Sequence, residues 1–182
     1  MDFTVPSGGN DGKAVHVTAT ADIAYLNLYG IGVANNGGGT DGQEYTFEAI
    51  SVSAGDDILV ARTPSAMEEY FGSCYSEFEY VLTASSSISQ NGDDAIELYY
   101  NGEVLEIYGD VDVDGSGQSW EYLDSWAYQA DGVWTTGGVN CTDDSSSIGL
   151  SSCLYPICSA FSFGCMTEEA CNYNGDATDD NG

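Results

Sequence analysis

Asp110, Asp112 and Asp114 are followed by Gly115 and then by Glu121, which puts carboxylates at positions 1, 3, 5 and 12 of a twelve-residue window. A calcium loop uses this spacing because alternate carboxylates turn inward, a glycine at position 6 permits the sharp turn, and a glutamate at position 12 closes the shell with both oxygens. The flanks differ from the helical form of that motif. A strand-like run precedes the loop, and Gly117 occupies position 8, where an apolar residue is usual. Two readings follow: a helix-free calcium site on Asp110, Asp112, Asp114 and Glu121, or an acidic solvated turn. Asn172, Asn174, Asp176, Asp179 and Asp180 form a second oxygen-rich cluster.

The chain carries 30 acidic residues against Lys13 and Arg62, a formal net charge of -28. Such a charge repels nucleic acid, whose binders need Lys and Arg to displace counterions from phosphate. It also repels anionic membranes and attracts cations. Disordered acidic tails are poor in apolar and aromatic residues. Here hydrophobic residues make up 42% and aromatic residues 12%, so a folded core is expected. No apolar run is long enough to span a membrane, and no secretory leader opens the sequence.

Cys74, Cys141, Cys153, Cys158, Cys165 and Cys171 lack metal-finger spacing and read as disulfides of a secreted, extracellular protein. All six are expected to be oxidised or paired across a chain boundary. Cys74 is expected to pair with Cys141 as the chain leaves the folded domain. Asn140-Cys141-Thr142 is a weak glycosylation sequon at Asn140. Catalysis finds little footing. His16, the lone histidine, lies in an alternating run and is expected at a strand surface, so no His-based triad or zinc site is predicted. Asp93-Asp94 is expected to cap a turn.

The elements that must position these groups are strands. Alternation predicts strands over 13–20, 22–33, 44–52 (with a bulge between Phe47 and Ile50), 58–61 and 78–82. Leu26 and Leu28 are expected on one face. Residues 35–42 read as an exposed loop. Ser65 to Phe71 is the one helical candidate, with Ser65 as cap and Glu68 completing a capping box. Asn101-Gly102 between two alternating runs predicts a hairpin with a type I′ turn. That register sets Leu98 opposite Leu105, Ile96 opposite Ile107, and Glu97 opposite Glu106 on a solvated outer face. Trp120, Tyr122, Trp126, Tyr128 and Trp134 read as buried anchors or as a carbohydrate-stacking platform.

Residues 91–98 (Asn-Gly-Asp-Asp-Ala-Ile-Glu-Leu), then Gly109, Trp120-Glu121-Tyr122 and Trp126-Ala127-Tyr128, resemble the lamin-tail-like domain of secreted proteins of marine microbes. Gly137 to Thr142, Ser152-Cys153 and Tyr155-Pro156-Ile157-Cys158 are similar to the end of such modules. The resemblance covers residues 13–158. It implies an immunoglobulin-like antiparallel β-sandwich with no catalytic residue to carry over. Gly164-Cys165 through Cys171-Asn172-Tyr173-Asn174 resembles a short extracellular repeat that continues to a third cysteine, which implies a fragment or a processed chain.

The sequence therefore predicts an all-β chain: an extension over 1–12, a sandwich over 13–140 and a cysteine-rich, loop-like tail over 141–182. The expected role is a non-catalytic, secreted structural or adhesive module, calcium-assisted, meeting protein partners or copies of itself in a fibre or surface assembly. The alternative is a carbohydrate-binding or accessory domain of a secreted hydrolase.

Overall fold

The computed structural model describes residues 1–168 and 173–180. Strands dominate, in chain order β1 (Ala14–Thr18), β2 (Tyr29–Ala34), β3 (Tyr45–Thr46) and β4 (Asp57–Ala61), then α1 (Pro64–Phe71), the one α-helix among the described residues, and β5 (Tyr80–Thr83). There follow β6 (Ala95–Tyr100), β7 (Glu103–Tyr108), β8 (Ala127–Ala130), β9 (Val133–Thr136), β10 (Phe163–Gly164) and β11 (Asp179–Asp180). One sheet has the order β1-β4-β5 and a second the order β3-β2-β6-β7; β8-β9 and β10-β11 are two-stranded.

β4 is the central strand of the first sheet and is buried on both faces, which is why Ile58-Leu59-Val60-Ala61 is a continuous apolar run. Ile58 and Val60 join Leu82 of β5 and Ile31, Tyr45 and Phe47 of the second sheet in one hydrophobic cluster. Leu59 and Ala61 join a different cluster with Met67, Tyr70 and Phe71 of α1, Phe78, Trp126, Ile148, Tyr155 and Cys158. Met1, Phe3 and Val5, from the segment expected as an extension, complete it.

Several local expectations are corrected. β4 and β5 run parallel, because α1 carries the chain across between them, so the first sheet is mixed rather than antiparallel. Helix α1 starts at Pro64, whose fixed φ suits the first turn, with Thr63 rather than Ser65 at the N-cap. The Thr63 hydroxyl makes no capping bond; it donates to Asp11 at 2.8 Å. Residues 22–33 are not one strand: a 3-10 turn over Leu26–Leu28 interrupts the alternation, burying Leu26 and exposing Leu28. In 44–52 only Tyr45–Thr46 pairs with β2, and Val52 makes a separate bridge to Ile23.

Asn101 and Gly102 form the hairpin tip with φ of 52° and 80°, both positive as a type I′ turn requires. The register beyond it differs from the expected one. A bulge slips the pairing between Leu98 and Tyr99, so Leu98 faces Glu106, Ile96 faces Tyr108, and Glu97 faces Ile107. Leu105 is left unpaired and 58% exposed. Glu97 is fully buried rather than solvated, accepting from Thr40 Oγ1 at 2.7 Å and from the Tyr99 hydroxyl at 3.2 Å. The loop over 35–42 covers it on that face.

Candidate functional site

A groove of about 500 Å³ is flanked by β1 (Val15, Val17, Thr18) and the β8–β9 hairpin (Tyr128, Gln129, Trp134), with Ile96, Leu98, Glu106 and Tyr108 of the second sheet along its wall. It continues past Val17, Thr18 and Leu98 into a smaller cavity of about 210 Å³ reaching Ile23, Phe47 and Leu105. Its size and mixture of apolar walls with a few polar groups fit a binding site. Trp134 and Tyr108 meet at 4.5 Å between ring centres, and Gln129 Nε2 donates to Glu106 Oε1 at 2.7 Å, fastening the hairpin to β7. Burial pushes the Tyr108 phenol far up, and its hydroxyl donates to Trp120 O at 2.6 Å.

At one end of the groove stands His16, which is not a surface residue: its side chain is 4% exposed. Its Nε2 lies 2.9 Å from Asp57 Oδ1 and its Nδ1 lies 3.0 Å from the Tyr155 hydroxyl. An ionised carboxylate can only accept, so Nε2 carries a proton. Burial works against the Asp57 carboxylate, but bonds from His16 and Thr18 outweigh it and hold its pKa below the ordinary value. Asp57, His16 and Tyr155 have the connectivity of a relay ending in a nucleophile. Burial drives the Tyr155 phenol well above its usual range, so it stays protonated at neutral pH and makes a poor nucleophile. What the trio does is tie the tail segment around Tyr155 to β1 and β4. Its members are 41 and 139 positions from His16 in sequence, so no local motif announces them.

In the acidic loop three of the four carboxylates accept backbone bonds. Asp110 Oδ1 accepts from Asp112 N at 3.0 Å, Asp114 Oδ1 from Ser116 N at 2.9 Å, and Glu121 Oε2 from Gly117 N at 2.7 Å. Each of these three closes its own turn, and the bonds from Ser116 lower the Asp114 pKa. Among the described residues no group of three or more His, Cys, Asp or Glu side chains is placed to hold a metal ion. In the second oxygen-rich cluster Asp176 N donates to Asn174 Oδ1 and Met166 N to Asp180 Oδ1; Asn172 lies outside the described residues. Asp94 does cap a turn: its carboxylate accepts from Asn91 N and Asn36 N.

The disulfides are Cys74–Cys158 and Cys141–Cys153, which replaces the expected Cys74–Cys141 pair. The tail folds back so that Cys158 reaches α1's trailing turn, while Cys141 closes a short loop of its own. Cys165 is buried and outside any disulfide among the described residues; Cys171 lies outside them. Asn140 is exposed, whereas Thr142 of its sequon is buried and donates to Asp124 O at 2.8 Å. Of the tryptophans, Trp126 is 8% exposed and donates to Cys153 O, and Trp134 is 40% exposed. Because Trp126 is buried, Trp120, Trp126 and Trp134 do not form one exposed row. Among the described residues no helix is long and apolar enough to cross a membrane. No family model, curated protein or solved structure matches the chain.

Proposed function

We propose that this chain is a secreted, non-catalytic structural or adhesive module built on an immunoglobulin-like sandwich of the lamin-tail-like kind, which meets other proteins through a sheet edge. The observation that carries this reading is β7. It is the last strand of its sheet, and Val104, Leu105 and Ile107 on it are all exposed. Val133 and Trp134 extend the exposed apolar surface onto the hairpin fastened to it. Edge strands ordinarily carry charge, proline or a cover, because an open apolar edge pairs with other chains. The two disulfides support an oxidising compartment.

A net charge of -28 opposes contact between copies except in high salt, where screening shortens its range to a few ångströms. Calcium assistance through Asp110, Asp112, Asp114 and Glu121 belongs to the same reading; it requires Asp110, Asp114 and Glu121 to exchange their turn bonds for metal bonds. Light scattering of the purified chain across salt and calcium, beside adhesion to protein-coated surfaces, tests the proposal. Association and adhesion that disappear in a Leu105→Lys, Ile107→Lys variant with an unchanged melting curve are expected. A chain that stays monomeric and non-adherent in every condition would sink the reading.

A further inference from the structure

The groove is one strand wide, and the chain itself demonstrates the width. Asp2 bridges antiparallel to Lys13 on one side and to Ser125 on the other. Phe3 N donates to Gly12 O, Ala14 N to Met1 O, and Asp2 and Ser125 exchange both backbone bonds. Residues 1–3 thus occupy a lane between β1 and the segment leading into β8. Beyond Ala14 the same lane continues as the groove, with Val15 to Thr18 on one bank and Ala127 to Gln129 on the other.

Both banks present backbone groups to it. In the β1–β4 ladder Lys13 accepts from Arg62 N and Ala19 N donates to Asp56 O, so odd-numbered residues of β1 bond β4. His16 and Thr18 must then turn their N–H and C=O away from β4, as Ala14 does toward Met1. In the β8–β9 pair Gly137 N donates to Trp126 O, so Tyr128 and Ala130 bond β9. Ala127 and Gln129 turn toward the lane, as Ser125 does toward Asp2. Two strand edges therefore face each other across the space of one strand.

We infer that this lane accepts an extended segment of a partner protein, which adds as a strand between β1 and β8, antiparallel to both. Backbone bonds from His16, Thr18, Ala127 and Gln129 would supply affinity independent of sequence, and alternate side-chain pockets the specificity. Side chains on one face of the segment would meet Ile96, Leu98, Tyr108 and Trp134; those on the other would meet His16 and Tyr128. Glu106 and Asp131 line the lane, and the chain carries only two basic side chains against 30 acidic ones. The segment is therefore aliphatic alternating with lysine or arginine, and a second copy of this acidic chain is disfavoured as occupant. The inference deepens the proposed adhesive function, naming a second docking edge and its partner.

The test uses the intact chain and a short synthetic peptide alternating valine with lysine. Two controls accompany it: the same peptide N-methylated at alternate amides, and one with glutamate for lysine. Backbone amide spectra of the labelled chain should show protection from exchange at His16, Thr18, Ala127 and Gln129 and a shift of the Trp134 indole. Both control peptides should bind more weakly, on the order of tenfold or more. Ala127→Pro removes an N–H from the same edge, where proline is tolerated, and leaves the Gln129–Glu106 bond in place. It should weaken binding similarly with an unchanged circular dichroism spectrum and melting curve. Equal binding of the N-methylated peptide, or shifts confined to other surfaces, would overturn the inference, and so would self-association through these same amides without peptide. A silent lane in a chain that still associates through Leu105 and Ile107 would remove the lane alone and leave the proposed function standing. A silent lane in a chain that neither associates nor adheres would remove both.

Discussion

The two hydrophobic clusters that share β4 are built in different ways. The one between the sheets is mainly aliphatic, with Ile31, Val52, Ile58, Val60, Leu82 and Ile88 at its centre, supplied by strands. The other is aromatic: Phe3 lies 5.3 Å from Tyr70, Phe71 5.3 Å from Phe78, and Trp126 5.7 Å from Tyr155, ring centre to ring centre. Its members come from the first residues, α1, the approach to β8 and the tail. Alternating strands generate the first cluster locally. In the second, backbone pairing joins the first residues to β1 and to the approach to β8 but does not reach α1 or the tail segment around Tyr155, and the Cys74–Cys158 bridge, closing a separation of 84 residues, sits there. A covalent tie falls where the fold is least secured by backbone pairing.

Breaking that tie tests the comparison most severely. In the chain-entropy view, removing Cys74–Cys158 through Cys74→Ala, Cys158→Ala costs about 4–5 kcal/mol, and removing Cys141–Cys153, with its separation of 12, about 3 kcal/mol. The first is on the scale of a small domain's whole stability. Urea denaturation of both double variants checks the order. A larger loss from the Cys141–Cys153 variant would mean that the aromatic cluster holds itself together.

Truncations inside the clusters come next. Phe71→Ala, fully buried among Phe3, Phe78 and Tyr155, should cost about 3–5 kcal/mol. Ile58→Val in the inter-sheet cluster should cost about 1 kcal/mol. If reducing the disulfides shrinks the Phe71 penalty but leaves that of Ile58→Val unchanged, the bridge and the aromatic cluster form one cooperative unit.

The same division explains what the sequence discloses. β1, β4, β6, β7 and the Asn101-Gly102 turn were legible because alternation and turn chemistry are local. The hairpin register was not, because a single bulged residue at Leu105 changes the partner of Glu97 from Glu106 to Ile107, and no neighbour in the sequence signals the bulge or the loop that buries Glu97. His16 sits in an alternating strand like any surface residue; its partners Asp57 and Tyr155 arrive only through tertiary packing. The groove was invisible for a related reason. It depends on residues 1–3 wedging β1 and β8 apart, a consequence of topology. One signal was available: Phe3 and Val5 are apolar residues in a segment taken for an extension.

Asp2 is part of that wedge and should give an effect smaller than that of Phe71→Ala and of opposite sign. Burial raises its pKa to about 6, with Lys13 opposing. The unfolded carboxyl loses its proton first as pH rises, so the folded state is progressively penalised between about pH 4 and pH 6, and the penalty persists above. Asp2→Asn should therefore stabilise the chain at pH 7 by about 2–3 kcal/mol and leave it unchanged near pH 3. Melting curves at the two pH values decide this. Equal gains at both would mean that the substitution acts through packing rather than charge.

The smallest expected effect lies where the two clusters meet the groove, at Asp57. Its carboxylate is held below its ordinary pKa, so the sign is the reverse of that at Asp2. Its contribution is present above the unfolded carboxylate value of about 4 and is lost as pH falls through the lower folded value. About a quarter of the side chain faces solvent, which weakens the contribution further. Asp57→Asn should lower stability modestly at pH 7 and flatten the acid limb of the stability curve below about pH 4. Because His16 ties Asp57 to Tyr155, adding Tyr155→Phe to Asp57→Asn should cost less than Tyr155→Phe costs alone if the relay acts as a unit. A double-mutant cycle measured at pH 7 reads this directly. Strict additivity would show that Tyr155 holds the tail through its ring packing against Phe71, Trp126 and Tyr128, and that the hydroxyl bond to His16 merely fills the end of the groove.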